Sequence, residues 1–107
     1  MSKGKSNWID DLLGEVRRHI ESRSFRFSRH AMLQGKDRDL SLPDVIHVLL
    51  NGRHEKEKPL FSTARQQWNY AIKGNTLGGV EARIIIGFED DMVVITIIRL
   101  TKKKRSP

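Results

Sequence analysis

At residues 83–96 the sequence reads RIIIGFEDDMVVIT, in which two runs rich in isoleucine and valine flank an acidic segment at residues 89–91. β-branched residues favour strands, and a short polar segment between two such runs is typical of a β-hairpin. The two strands are predicted over about residues 81–88 and 92–100. The rest of the chain is expected to pack on this hairpin or to pair with it.

The register of the hairpin predicts which side chains face the core. If Asp90 and Asp91 form a two-residue loop, the pairs on the helix-covered face are Phe88 with Val93, Ile86 with Ile95, and Ile84 with Ile97. Arg83 would then lie opposite Ile98 on the uncovered face. A cation on a partly apolar, uncovered surface suits a substrate groove, and the alternative is an ordinary exposed arginine.

Upstream of the hairpin, apolar residues recur at helical spacing, which predicts helices at about residues 7–21 and 29–35. A third helix has the clearest ends. Ser41 is a good N-cap residue with Asp44 three positions later, and Gly52 provides a stop.

Strands and loops fill the remaining segments. Residues 24–27 are predicted to be extended, residues 53–58 to form a polar strand or loop, and residues 59–67 to be irregular. Apolar and polar residues alternate at 68–73, as in a half-buried strand. The expected fold is α+β, with N-terminal helices packed on one face of a C-terminal antiparallel sheet.

The composition indicates one small basic domain. The chain has 107 residues, with 20 lysines and arginines against 13 acidic residues and a net charge of +7. We expect a single domain at residues 1–100 and a basic tail at 101–107. A surplus of this size indicates a polyanionic partner such as RNA, DNA, an acidic protein or a membrane surface, and the alternative is a basic surface that only aids solubility.

Several classes of protein are disfavoured. The chain has no cysteine, which excludes structural disulfides and thiolate metal sites and suits the cytoplasm. The polar N-terminus does not resemble a secretory signal, and the apolar run at 92–98 is too short to span a bilayer. Motifs for nucleotide phosphates and paired metal-ligand histidines are lacking. We therefore expect no cofactor and no metal.

Residues 25–41 contain the groups that nucleic-acid cleavage needs. The segment includes Ser28-Arg29-His30-Ala31, and Arg38 follows eight residues after His30. Arginines bind phosphate groups, and histidine transfers protons near neutral pH. The alternative for His30 is a structural histidine that hydrogen-bonds backbone carbonyls and ties a helix to the sheet.

A widespread, poorly characterised bacterial family shows a similar pattern over about residues 10–100. The shared features are Ser28-Arg29-His30-Ala31, the spacing to Arg38, Leu40-Ser41, Asp44-Val45, Asn51-Gly52 and the final hydrophobic hairpin. That family resembles the RelE-like and BrnT-like ribonuclease toxins of type II toxin–antitoxin systems. Gln34, Gly35 and Asp39 depart from the pattern, which usually has arginine, methionine and glycine there.

The resemblance implies a RelE/BrnT-like fold and a toxin-type endoribonuclease that cleaves RNA without a metal, by attack of the 2′-hydroxyl on the adjacent phosphate. His30 would act in acid–base catalysis, with His54 as a second candidate, while Arg38 and Arg83 would stabilise the phosphate charge. Further RNA contacts are expected from Arg29, Arg53, Lys73, Lys102, Lys103 and Lys104.

Two kinds of partner follow from the same resemblance. The substrate would be RNA, including ribosome-bound mRNA, and the inhibitor would be a cognate antitoxin of zinc-finger type, docked at an edge strand near residues 53–58. The alternative is a different kind of function: the protein would be a non-catalytic module whose basic face binds nucleic acid or an acidic protein.

Overall fold

A computed structural model of the chain describes residue 9 and residues 11–57, 60–63 and 66–101. The elements, in chain order, are α1 (Leu12–Glu21), β1 (Phe25–Phe27), α2 (Arg29–Asp37), α3 (Leu42–Asn51), β2 (Arg53–His54), β3 (Leu60–Ser62), β4 (Gln67–Asn75), β5 (Glu81–Glu89) and β6 (Asp91–Arg99).

The six strands of the described residues form one sheet. Its order is β1-β6-β5-β4-β2, and β3 pairs with the start of β4. All pairs are antiparallel except β1 with β6, which is parallel. The α+β class is confirmed. The prediction of an irregular segment at residues 59–67 was wrong in part, because Leu60–Ser62 pairs with β4 as a strand.

The helices cover one face of this sheet. Buried side chains of all three helices join one core with alternate residues of the central strands: Leu12, Val16, Ala31, Val45, Val48, Leu49, Tyr70, Ile72, Ile84, Ile86, Met92, Val94 and Ile97. The odd-numbered residues of β4 and β5 point to the opposite face, which no described helix covers. We call that side the uncovered face.

The hairpin of β5 and β6 differs from its predicted register near the tip. Its turn is centred on Asp90 alone, which adopts a left-handed φ of 56° that aspartate tolerates better than most residues. Phe88 therefore pairs with Met92, and a bulge inserts Ile95 before the ladder resumes. The predicted pairing of Phe88 with Val93 and of Ile86 with Ile95 was wrong.

Beyond the bulge the predicted register is confirmed. Ile84 pairs with Ile97, and Arg83 pairs with Ile98. The bulge explains why the predicted register is wrong near the tip and correct beyond it. One extra residue shifts every side chain on one side of the bulge to the other face.

The helix ends follow local chemistry. Asp11 caps α1 by accepting from the Gly14 N–H, so α1 begins at Leu12 and the predicted start at residue 7 was too early; residues 7, 8 and 10 lie outside the described residues. The predicted Ser41 cap of α3 is confirmed as a capping box with Asp44. Asp39 follows α2 with a left-handed φ of 56°, a position that favours glycine.

The helix α2 shields the outer edge of β6 beyond the end of β1. Ser28 Oγ donates to the Ile95 carbonyl at 3.2 Å, and the Ile97 N–H donates to Gln34 Oε1 at 2.8 Å. The Gln34 side chain thus takes the place of a neighbouring strand. The contact explains why residue 34 is a glutamine here, whereas the resembling family usually has arginine at this position. The Ile97 N–H needs an acceptor, and an arginine side chain has none.

Replacing Gln34 with methionine is expected to lower the free energy of unfolding by about 1–2 kcal/mol, because the buried Ile97 N–H would lose its acceptor. Gln34→Glu keeps an acceptor oxygen and is the matched control, with a smaller loss. Urea unfolding of both variants measures the difference. Equal stability of the two variants would show that the hydrogen bond contributes nothing.

Candidate functional site

The uncovered face carries a group of charged side chains, which we call the charged face: Arg53, Glu55, Lys73, Glu81 and Arg83. The register brings them together, because Arg53 pairs with Lys73 and Lys73 pairs with Arg83 across adjacent strands. Glu55 follows β2 and is anchored by its backbone N–H, which donates to the Ala71 carbonyl at 2.9 Å.

Glu55 and Arg83 form the centre of the charged face. Arg83 Nε donates to Glu55 Oε1 at 2.5 Å and Arg83 Nη2 donates to Glu55 Oε2 at 3.2 Å, which is a bidentate ion pair. Glu55 is 2% exposed, whereas the Arg83 side chain is 20% exposed. The hydrogen bonds from Arg83 lower the pKa of Glu55 against the opposing effect of burial. The carboxylate is therefore held ionised beside a guanidinium that a ligand can reach.

A second ion pair borders this centre. Lys73 Nζ lies 3.4 Å from Glu81 Oε2, and both side chains are partly exposed. The charged face thus has three cations and two carboxylates, which leaves a small positive excess. Such a surface can hold a phosphate group when the arginine changes partner.

Glu55 was not predicted as a site residue. The signal was present, because residues 53–58 were predicted to be a strand or loop, and alternation in a strand places residues 53 and 55 on the same side. What the sequence could not show is that the chain after β2 stays close enough to β5 for the Glu55 carboxylate to meet Arg83.

His30 and Arg29 lie elsewhere. Both are exposed in the first turn of α2, whose buried residues Ala31 and Gly35 face the helix-covered side of the sheet. Arg38 caps the other end of that helix, about 12 Å further along its axis. The structure therefore does not bring His30, Arg38 and Arg83 into one site. The exposure of His30 also contradicts the alternative of a buried histidine that ties the helix to the sheet.

His54 is also separated from Arg83. It pairs with Ile72 of the core face, and its ring meets the Tyr70 ring edge-on at a centroid distance of 5.9 Å. Burial lowers the pKa of His54, and nearby Lys56 adds to that effect. The ring of His54 therefore lies on the core side of the sheet, whereas Glu55 and Arg83 lie on the uncovered face.

The remaining predicted contacts are only partly described. Arg53 and Lys73 lie on the charged face, whereas Lys102, Lys103 and Lys104 lie outside the described residues. In the described parts of the chain, His, Asp and Glu side chains form no group of three that could hold a metal ion. No helix there is long and apolar enough to cross a membrane.

Comparison with known proteins identifies the family of the chain. No curated protein and no solved structure matches the chain significantly. One family model matches residues 27–99, from the last residue of β1 to the last residue of β6. This span includes Glu55, Arg83 and all of α2. The chain therefore belongs to the DUF4258 family, a domain of unknown function.

Proposed function

We propose that this protein is a cytoplasmic, toxin-type endoribonuclease with its reacting centre at Glu55 and Arg83. The observation that carries the proposal is the bidentate pair on the uncovered face, where an ionised, nearly covered carboxylate touches an arginine that RNA can reach. The net charge of +7 supports a polyanionic substrate. The similarity of its sequence pattern to RelE-like and BrnT-like toxins supports the reaction.

The proposed reaction needs no metal. An RNA phosphate binds the Arg83 guanidinium and displaces Glu55, whose carboxylate then accepts the proton of the neighbouring 2′-hydroxyl. The 2′-oxygen forms a bond to phosphorus while the bond to the 5′-oxygen breaks. The products are a cyclic 2′,3′-phosphate and a 5′-hydroxyl. The leaving 5′-oxygen takes a proton from water, and the hydroxide that remains takes the proton from Glu55, which restores the carboxylate. Arg83 stabilises the charge that grows on the phosphate oxygens.

The test is cleavage of labelled RNA in EDTA, with and without ribosomes. Glu55→Gln is expected to lower the rate about 100-fold or more, because glutamine cannot accept the proton but still accepts a hydrogen bond from Arg83. Glu57→Gln removes a nearby exposed carboxylate and is the matched control. Discrete fragments from the wild type and the control, but not from Glu55→Gln, are the expected result.

His30→Ala distinguishes the two candidate centres. His30 is exposed, so its replacement is expected to leave the melting temperature unchanged. If the centre lies at Glu55 and Arg83, His30→Ala retains most of the cleavage. A loss of about 100-fold in His30→Ala with normal activity in Glu55→Gln would instead place proton transfer at α2, as the sequence predicted.

A non-catalytic binding module is the second candidate. The observation that favours it is that the charged side chains of the uncovered face already satisfy each other, Arg83 with Glu55 and Lys73 with Glu81. Binding of RNA that falls with salt, with no cleavage by the wild type in either setting, would support this second function.

An active ribonuclease must be restrained in the cell, so we also propose a cognate antitoxin, of zinc-finger type as in the resembling family. The predicted docking edge at residues 53–58 is short, because β2 contains only Arg53–His54 and residue 58 lies outside the described residues. An acidic segment that covers Arg83 would inhibit the proposed centre directly.

A further inference from the structure

Two amide side chains on the uncovered face carry buried polar atoms that make no hydrogen bond. They belong to Gln67 and Asn69, at the start of β4. The Gln67 Nε2 donor and the Asn69 Oδ1 acceptor are both covered, and in the described part of the chain neither has a hydrogen-bond partner. Because leaving a buried amide unpaired costs free energy, these two groups call for a partner that the fold itself does not supply.

Gly87 of the neighbouring strand β5 makes room for this amide pair, by which we mean Gln67 and Asn69. A Cβ at Gly87 would lie 2.8 Å from Asn69 Oδ1 and 3.2 Å from Gln67 Nε2, so a larger residue would displace both. Since both atoms border the same point, a donor and an acceptor stand side by side. Both side chains are partly exposed, so rotation about their own bonds can turn the amides towards a ligand.

The amide pair lies on the same face as the proposed reacting centre. Arg83 and Gly87 are four residues apart in β5, and odd-numbered residues of that strand point to the uncovered face. At about 3.3 Å per residue, the distance along the strand is about 13 Å. An RNA strand of a few nucleotides spans this distance. A strand with one phosphate at Arg83 can therefore place a base at the amide pair.

We propose that the amide pair reads one base of the RNA substrate, and that this base is adenine or cytosine. Both bases carry an amino group beside an unprotonated ring nitrogen on the Watson–Crick edge. Asn69 Oδ1 would accept from the amino group, and Gln67 Nε2 would donate to the ring nitrogen. Guanine and uracil present a carbonyl oxygen beside a ring N–H there, which reverses the pattern. This inference rests on the proposed RNA substrate, whereas the proposed reaction needs neither amide.

Other ligands fit the amide pair less well. A metal ion is disfavoured, because among the described residues no three His, Asp or Glu side chains group together. A phosphate would be repelled by the Asn69 Oδ1 acceptor. A peptide group also offers a donor and an acceptor, but it brings no phosphate for Arg83 on the same face.

The test measures binding without cleavage. Fluorescein-labelled hexamers of 2′-O-methyl RNA lack the attacking hydroxyl, and anisotropy gives their affinities for the full chain. Hexamers of adenosine or cytidine are expected to bind about tenfold more tightly than hexamers of uridine or inosine, whose bases have no amino group. A preference for either of the two amino bases supports the proposal.

Gln67→Met and Asn69→Leu keep the approximate shape of each side chain and remove its polar atoms. Each is expected to bring all four affinities close to the uridine value without lowering the melting temperature, because no hydrogen bond of these atoms is lost. Asn75→Leu, which removes an exposed amide at the other end of β4, is the matched control and should keep the preference. A preference that both variants keep, or a lower melting temperature in both, would overturn the proposal.

The base preference and the cleavage reaction can fail separately. A preference for amino bases without cleavage of ordinary RNA would overturn the proposed reaction and leave the amide pair as a base-reading site. Cleavage without any such preference would overturn this inference alone. That second result is expected if water or a peptide group satisfies the amide pair instead of a base.

Discussion

Arg83→Met is expected to lower the free energy of unfolding at neutral pH by about 3 kcal/mol, because it leaves the Glu55 carboxylate covered without its cation. Methionine retains much of the apolar length of arginine, so the loss reports mainly the missing charge. Urea unfolding measures it. Lys73→Met is the matched control: it removes the partly exposed Lys73–Glu81 pair and is expected to cost less than about 1 kcal/mol.

The difference in stability between the wild type and Arg83→Met should depend on pH. In the wild type Arg83 lowers the pKa of Glu55, so the stabilisation is complete above the unfolded pKa of glutamate and is lost as pH falls through the lower folded pKa. In Arg83→Met the largest lowering effect on the pKa of Glu55 is removed, so that burial, which raises this pKa, is opposed only by the weaker effects of Lys73 and Arg53. The variant should therefore gain stability as pH falls from about 7 to about 4, and approach the wild type. A constant difference across that range would contradict a role for Glu55.

Gly52→Ala is expected to destabilise the fold by about 3 kcal/mol or more. A Cβ at Gly52 would lie 2.6 Å from the Lys73 carbonyl oxygen and 2.7 Å from the Val48 carbonyl oxygen. Both are backbone atoms that cannot rotate away. The end of α3 and strand β4 would have to separate, which would also disturb the start of β2 and the position of Glu55.

Gly78→Ala is the matched control for that substitution. A Cβ at Gly78 would meet only Thr76 Oγ1, at 4.0 Å. Its expected change in stability is within about 0.5 kcal/mol. Similar melting temperatures for Gly52→Ala and Gly78→Ala would show that α3 and β4 can move apart at little cost.

Local signals predicted most of the fold. The Ser41 and Asp44 capping box, the helical stripe of α3 and the β-branched runs of β5 and β6 each act within a few residues, so the sequence reveals them directly. The bulge at Ile95 has no local signal, because isoleucine and valine continue through it without interruption. Because of the bulge, Val93 and Ile95 do not lie on the core face, although the sequence predicted that they would.

The candidate site was less predictable because it depends on long-range contacts. The sequence placed Arg83 on the uncovered face, and the structure confirms that position. It could not show that Glu55 reaches Arg83 from 28 residues earlier in the chain. Nor could it show that α2 packs on the other side of the sheet, which separates His30 from Arg83 although sequence similarity would group them.

The parallel pairing of β1 with β6 has a consequence for how the chain folds during synthesis. β1 and α2 precede their partner strand β6 by a long stretch of chain, and Gln34 of α2 lies 63 residues before Ile97. Contacts between distant segments form slowly, because a long loop must close before they contribute. Phe25 and Phe27 consequently cannot pair with the sheet until β6 has been synthesised, so we expect this edge of the sheet to assemble late in folding.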